Sequence, residues 1–334
     1  MKYVYKSNNL DFLRLVLATA VVFLHLAFLA KTPLTESVSE SLHWLSGSAV
    51  STFFIVSGFL IYMSYDRKKT IINYFWGRLL RLYPAYILLI LFSSCLYFIV
   101  GDGSSVGSYA SEIKYFVANG IFLNFLAPTI DGVFSTHPEP FINGSLWTLK
   151  IEVMFYCMVP IFYMLLERKY SYLYMLAIYV LSFIYKDFIL FHKDTIPMAE
   201  TLASQLPGQM MYFIAGIFCF KYFDILKRQF SALLIASVIL MWLNLYYLQP
   251  FVIAVFITLV FISLPNVLSF KKLGDISYGV YIFHFPIIQL FIANGFEFNT
   301  VSSYFVLFTT IFVVSTASWK LVEAPSLRLK NRFF

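Results

Sequence analysis

Leu10-Asp11-Phe12-Leu13-Arg14-Leu15-Val16-Leu17-Ala18-Thr19-Ala20-Val21-Val22-Phe23-Leu24-His25-Leu26-Ala27-Phe28-Leu29-Ala30 is an apolar run carrying two charges, Asp11 and Arg14, and an imidazole. Its length suits a bilayer crossing, which takes about 20 helical residues. Arg14 and His25 are eleven residues apart. Eleven helical steps of ~100° fall within roughly 20° of three full turns, so the two side chains share a face, ~16 Å apart along the axis. Such groups on a membrane helix are costly unless they meet protein, water or ligand. The run therefore predicts one wall of a polar channel inside a helical bundle.

The rest of the chain fits that setting. Of 334 residues, 60% are hydrophobic and 12% charged, and mean hydropathy is +0.78. Soluble domains carry about twice that charge. Long apolar runs without period-2 alternation favour helices over a barrel, so the fold class is all-α, a polytopic membrane bundle. With no long polar stretch, residues 1–334 are expected to form a single integral-membrane domain. Cys95, Cys157 and Cys219 lie in apolar segments, without disulfide or metal spacing, so no metal is expected. Lys2 and Lys6 before the first run imitate a signal peptide, but Arg14 interrupts it, which predicts a retained helix.

Ten spans are expected, at 11–30, 45–65, 82–101, 145–166, 171–190, 204–221, 231–248, 250–265, 276–294 and 302–321. The segment 113–127 is broken by Asn119, Gly120 and Asn124, and reads as re-entrant or interfacial, or as an eleventh span. With the N-terminus inside, the cytoplasmic segments collect Lys2, Lys6, Arg67, Lys68, Lys69, Arg78, Arg81, Arg168, Lys169, Lys221, Lys227, Arg228, Lys271, Lys272, Arg328, Lys330 and Arg332. The opposite side holds Lys31, Lys114, Lys186 and Lys193 among Glu36, Asp102, Glu112, Asp131 and other carboxylates. This alternation predicts both termini in the cytoplasm. It also accounts for the net charge of +7 without nucleic-acid binding.

Polar residues recur inside the other spans. Ser57-Gly58 in the second suits either small-residue packing or close approach of a ligand. Arg78 and Arg81 are i,i+3 neighbours if helical, suiting membrane anchoring or a phosphate clamp. Ser145, Thr148, Glu152 and Tyr156 share a face of the fourth span. Glu152 is at a depth close to that of His25, where a carboxylate can orient an imidazole or bind a sugar hydroxyl. Ser277 and His284 share a face of the ninth, just before Pro286. His43, His137 and His192 fall in predicted outer loops.

Together these segments resemble the membrane acyltransferase-3 family of O-antigen, capsule and Nod-factor O-acetyltransferases. The resemblance rests on Leu10-Asp11-Phe12-Leu13-Arg14 with His25, on Phe53 to Ile61, and on Arg78-Leu79-Leu80-Arg81-Leu82-Tyr83-Pro84. It continues through Ser145-Leu146-Trp147-Thr148-Leu149-Lys150-Ile151-Glu152, Ile276-Ser277-Tyr278 to His284-Phe285-Pro286, and Val322-Glu323-Ala324-Pro325. Where the family often places a second acidic residue, this chain has Val153, so Glu152 acts alone. The chain stops thirteen residues past the tenth expected span, which resembles the stand-alone members lacking a fused extracytoplasmic SGNH hydrolase-like domain.

The resemblance implies a transferase in the bacterial inner membrane. Its donor would be cytoplasmic acetyl-CoA or another acyl-CoA. Its acceptor would be a hydroxyl of a surface polysaccharide or undecaprenyl-linked oligosaccharide, such as the O-antigen of lipopolysaccharide. On that reading Arg78 and Arg81 hold the donor phosphates and Arg14 sits at the channel mouth. His25 serves as general base or transient acyl carrier. Glu152 orients His25 or the acceptor, and Ser57, Ser277 and His284 line the acyl path. The rival reading is a transporter or flippase that moves a polar substrate through the same channel without chemistry.

Overall fold

The computed structural model describes residues 9–31, 39–68, 70–100, 108–265 and 274–333. Lys2, Lys6, Glu36, Lys69, Asp102, Lys271 and Lys272, which carry part of the expected charge alternation, lie outside the described residues. The described residues are helical, with no strand among them. The helices are α1 (Leu10–Ala30), α2 (Ser39–Lys68), α3 (Ile71–Val100), α4 (Ser108–Gly120), α5 (Trp147–Leu166), α6 (Ser171–Phe191), α7 (Ala199–Ala203) and α8 (Leu206–Lys221). They continue with α9 (Phe223–Arg228), α10 (Phe230–Leu243), α11 (Gln249–Ile257), α12 (Ser277–Ala293), α13 (Val301–Ser318) and α14 (Ala324–Phe333). Among the described residues, six helical segments are long and apolar enough to cross a membrane: Leu10–Ala30, Gly47–Arg67, Ile71–Val100, Gly144–Leu166, Ser171–Phe191 and Val301–Leu329. The remaining expected spans coincide with the shorter helices α8, α10, α11 and α12.

One difference from the sequence expectation has a clear cause. Helix α3 starts at Ile71 and not near residue 82, so Arg78, Arg81 and Pro84 are all inside it. Pro84 is tolerated because neighbouring groups in a membrane bundle can satisfy a carbonyl that proline leaves free. The 113–127 segment is the helix α4, which ends at Gly120, followed by Phe122 at φ 63° and a 3-10 turn over Asn124–Leu126. The polar residues that break the pattern close this turn: the Asn119 amide donates to the carbonyls of Tyr115 and Ala127, and Tyr86 donates to the Asn119 carbonyl.

The helices fall into two compact units. The first comprises Met1–Leu13, Val50–Phe75 and Ile151–Ser269. Here α2 and α8 approach through two glycines. A Cβ at Gly58 would overlap the Phe213 carbonyl, and one at Gly216 would overlap the Ile55 carbonyl. The small residue beside Ser57 thus serves helix packing, with Phe155 stacked on Phe213 at 3.8 Å between ring centroids. Proline opens both α8 and α11, where a missing N–H costs no helical bond. Ser182 of α6 donates to the Pro207 carbonyl and accepts from the Met211 N–H, tying α6 to the start of α8.

The second unit comprises Arg14–Ala49, Trp76–Lys150 and Phe270–Phe334. A Thr300–Ser303 capping box starts α13, and Gly279 of α12 lies against the backbone of Ser315 on α13. The connection between α4 and α5 is fastened to the far end of α12. Gln289, fully buried, donates to the carbonyls of Glu139 and Phe141, and its Oε1 lies 2.7 Å from Nδ1 of His137.

Candidate active site

The second unit joins α1 to α12 at two levels. At the first, Arg14 meets Asp275 at 2.5 Å, and Arg81 from α3 binds the same carboxylate oxygen. Ser277 donates to the other oxygen of Asp275 at 2.5 Å. Arg81 also lies 5.7 Å from the centroid of the Trp319 ring, a cation–π distance. Gly274, at φ 77°, passes so close to that indole that a Cβ would overlap it. Glu323 is buried nearby, accepts from Ser318 at 3.0 Å, and is near enough to Arg81 and Arg14 to feel their charge. Burial alone would raise the Asp275 carboxyl, but the Arg14 and Arg81 guanidiniums outweigh it and hold it well below the usual carboxylate range.

At the second level His25 meets His284, with Nδ1 of His25 2.7 Å from Nε2 of His284, the ring planes 17° apart and the centroids 5.0 Å apart, so the rings meet edge to edge. Nδ1 of His284 is 3.1 Å from the Val280 carbonyl, which can only accept. The proton of neutral His284 therefore sits on Nδ1, and its Nε2 offers a lone pair. His25 must then carry its own proton on Nδ1 to fill the 2.7 Å contact, which leaves Nε2 of His25 as a proton acceptor. His284 is 0% exposed, whereas His25 keeps part of its surface accessible.

Local sequence explains why α12 presents His284 this way. Pro286 has no N–H for the Ile282 carbonyl, and Asn143 donates to that carbonyl at 2.8 Å instead. The Asn143 oxygen accepts from the Ser145 N–H and hydroxyl, fixing the turn that leads into α5. Thr148 donates to the Ser145 carbonyl, so in its 2.6 Å contact with Tyr281 the tyrosine is the donor. Phe285 packs edge-on against His25 at 5.1 Å and lies over Gly144, where a Cβ would crowd its ring.

The expected residues thus separate into groups. Arg14 and Arg81 converge on one carboxylate, and His25 pairs with His284. Ser277 lies at the charged level, beside Asp275. Arg78 is a partly exposed residue of α3, one turn before Arg81. Glu152 and Ser57 belong to the first unit, where Tyr156 donates to Glu152 at 2.7 Å. Asp275, Asn143 and Tyr281 were given no role by sequence reasoning. Helical periodicity carried no signal for Asp275, which precedes α12: nine helical steps before His284 would fall on the opposite face.

Comparison with known proteins gives the family. A family profile described as an acyltransferase domain matches residues 7–320. The chain belongs to the acyltransferase-3 family. It is 27% identical over 331 residues to an O-acetyl transferase of Shigella phage Sf6, covering 96% of each chain. It is 26% identical over 362 residues to Nodulation protein 10 of Rhizobium leguminosarum bv. viciae, covering 97% of this chain and 94% of the other. No solved structure matches. The family and these relatives make this chain an O-acyltransferase and a membrane protein, and a carrier without chemistry is set aside.

Proposed function

We propose that this O-acyltransferase moves an acetyl group from acetyl-CoA to a hydroxyl of a surface polysaccharide or its lipid-linked precursor. The observation that carries the reading is the 2.7 Å contact of Nδ1 of the partly accessible His25 with His284, itself held by the Val280 carbonyl, an arrangement that leaves Nε2 of His25 to take a proton. In the reaction the acceptor O–H gives its proton to His25 Nε2 as the oxygen attacks the thioester carbonyl. The C–S bond then breaks, and the thiolate takes the proton back from Nε2, releasing CoA as its thiol. The O-acetyl transferase of the Sf6 phage, similar over nearly the whole chain, supports acetyl as the group moved.

Arg14 and Arg81 bind the donor phosphates, with Arg78 one turn away on α3. Paired guanidiniums suit phosphate, and Asp275 occupies them as an internal anion until the donor arrives. The ~16 Å between Arg14 and His25 on α1 accommodates a pantetheine arm. Glu152 serves the acceptor side.

The same reading has ten crossings, both termini in the cytoplasm, and the bacterial inner membrane as its location. Supporting the parity, the two rungs run in the same chain direction, so α1 and α12 are parallel. Between them lie the apolar helices α2, α3, α5, α6, α8, α10 and α11, an odd number, as parallel crossings require. Mass spectrometry of surface polysaccharide from cells with and without the protein tests the function. Loss of O-acetyl esters on deletion is the expected result, and an unchanged ester content sinks it.

A further inference from the structure

We infer that His284 is a positioning residue that locks His25 in its reactive tautomer, its Nε2 standing where the carboxylate of a triad would accept from the imidazole and the Val280 carbonyl fixing the proton behind it. The inference rests on the proposed role of His25 as base, and adds to it the group that makes His25 competent.

Neutral imidazole has two tautomers, and only the one with the proton on Nδ1 leaves Nε2 of His25 able to take a proton. Within the second unit the choice is made by a short chain: Val280 carbonyl, His284 Nδ1–H, His284 Nε2, His25 Nδ1–H. The carbonyl cannot donate, so each later proton position follows from the one before. His284 itself is fully buried, and both ring nitrogens are engaged, so it has neither access to substrate nor a free lone pair. Its position is braced from two sides, by Asn143 on the carbonyl that Pro286 releases and by Tyr281, whose ring is 6.2 Å away.

The use of a carbonyl has a physical reason. A carboxylate behind His25 in an apolar helix pair would need a compensating charge of its own, which is costly inside a membrane. A neutral carbonyl orients the dyad without adding charge. When Nε2 of His25 takes the acceptor proton, the imidazolium keeps its Nδ1–H on His284, so the pair stays hydrogen-bonded throughout the step.

The test uses full-length protein in membranes, acetyl-CoA as donor, and surface polysaccharide from the producing cells as acceptor. His284→Gln is the deciding variant. Its side-chain oxygen reaches the place of imidazole Nε2 and accepts from His25, whereas that of His284→Asn reaches only to the place of Nδ1. At matched membrane levels, His284→Asn and His284→Ala are expected to lower kcat roughly 10- to 100-fold, as loss of orienting partners does elsewhere. The KM for acetyl-CoA should stay within about twofold, because the charged level is untouched. His284→Gln should restore most of kcat. A purely packing role predicts that Gln and Asn fail alike, and that result overturns the inference. So does wild-type kcat in His284→Ala. If His25→Ala retains full activity, the base assignment falls and this inference with it. If His25→Ala is inactive while His284→Ala is not, only this inference falls.

Discussion

The two levels of the α1–α12 pair solve opposite problems with similar parts. At the Arg14–Asp275–Arg81 level, three charges are held together and largely buried. At the His25–His284 level, two titratable rings share a contact whose proton positions follow from one neutral carbonyl. On the proposed reading the first level exchanges one anion for another, and the second holds a proton in place and receives one more. Mutations should therefore act on different quantities at the two levels, on donor affinity at one and on turnover at the other.

The largest effect should come from His25→Ala. Loss of a positioned general base costs about 10²- to 10⁴-fold in rate, and acetyl transfer from labelled acetyl-CoA should fall by that much while donor binding persists. Next comes Asp275→Asn, which leaves two guanidiniums facing each other. Breaking a buried charge cluster costs about 3–5 kcal/mol, so the thermal midpoint in detergent should drop by several degrees. Its KM for donor should not rise, because the internal competitor is gone. A raised KM would show that Asp275 helps to bind the donor.

Arg81→Ala should act the other way. Losing one charge-assisted contact to a phosphate amounts to about 1.4 kcal/mol, so donor KM should rise about tenfold with kcat little changed. Arg81→Lys should recover only part of this, since the ammonium loses both the fork and the stacking on Trp319. The smallest effect is on stability against pH. The Asp275 carboxyl titrates well below its ordinary value, so its contribution is complete above about pH 4 and is lost as the pH falls from there toward the depressed folded value. Unfolding followed from pH 6 downward should show this loss in the wild type and not in Asp275→Asn.

Much of this comparison was legible in the sequence. The shared face of Arg14 and His25 follows from their spacing, and both do point to one partner helix. The seven-residue spacing of Ser277 and His284 placed them on one face, and in the structure they lie at different levels of it. What stayed hidden was pairing across long separations. His25 and His284 are 259 positions apart, and helical periodicity states which way each side chain points but not toward which helix. Asp275 escaped notice because it stands at the mouth of an apolar run, where an isolated acid reads as a loop charge. Asn143 was invisible for a different reason. Its role depends on the carbonyl that Pro286 leaves free in another helix.

That long separation has a consequence for synthesis. Chain emerging from the ribosome folds from its N-terminal end. His25 is made 259 residues before its partner His284. Until α12 is inserted, the nascent protein has an imidazole with no fixed tautomer and guanidiniums with no Asp275. On the proposed reading, a copy made only as far as α11 has no base fixed for the acceptor hydroxyl, so acyl transfer waits for α12.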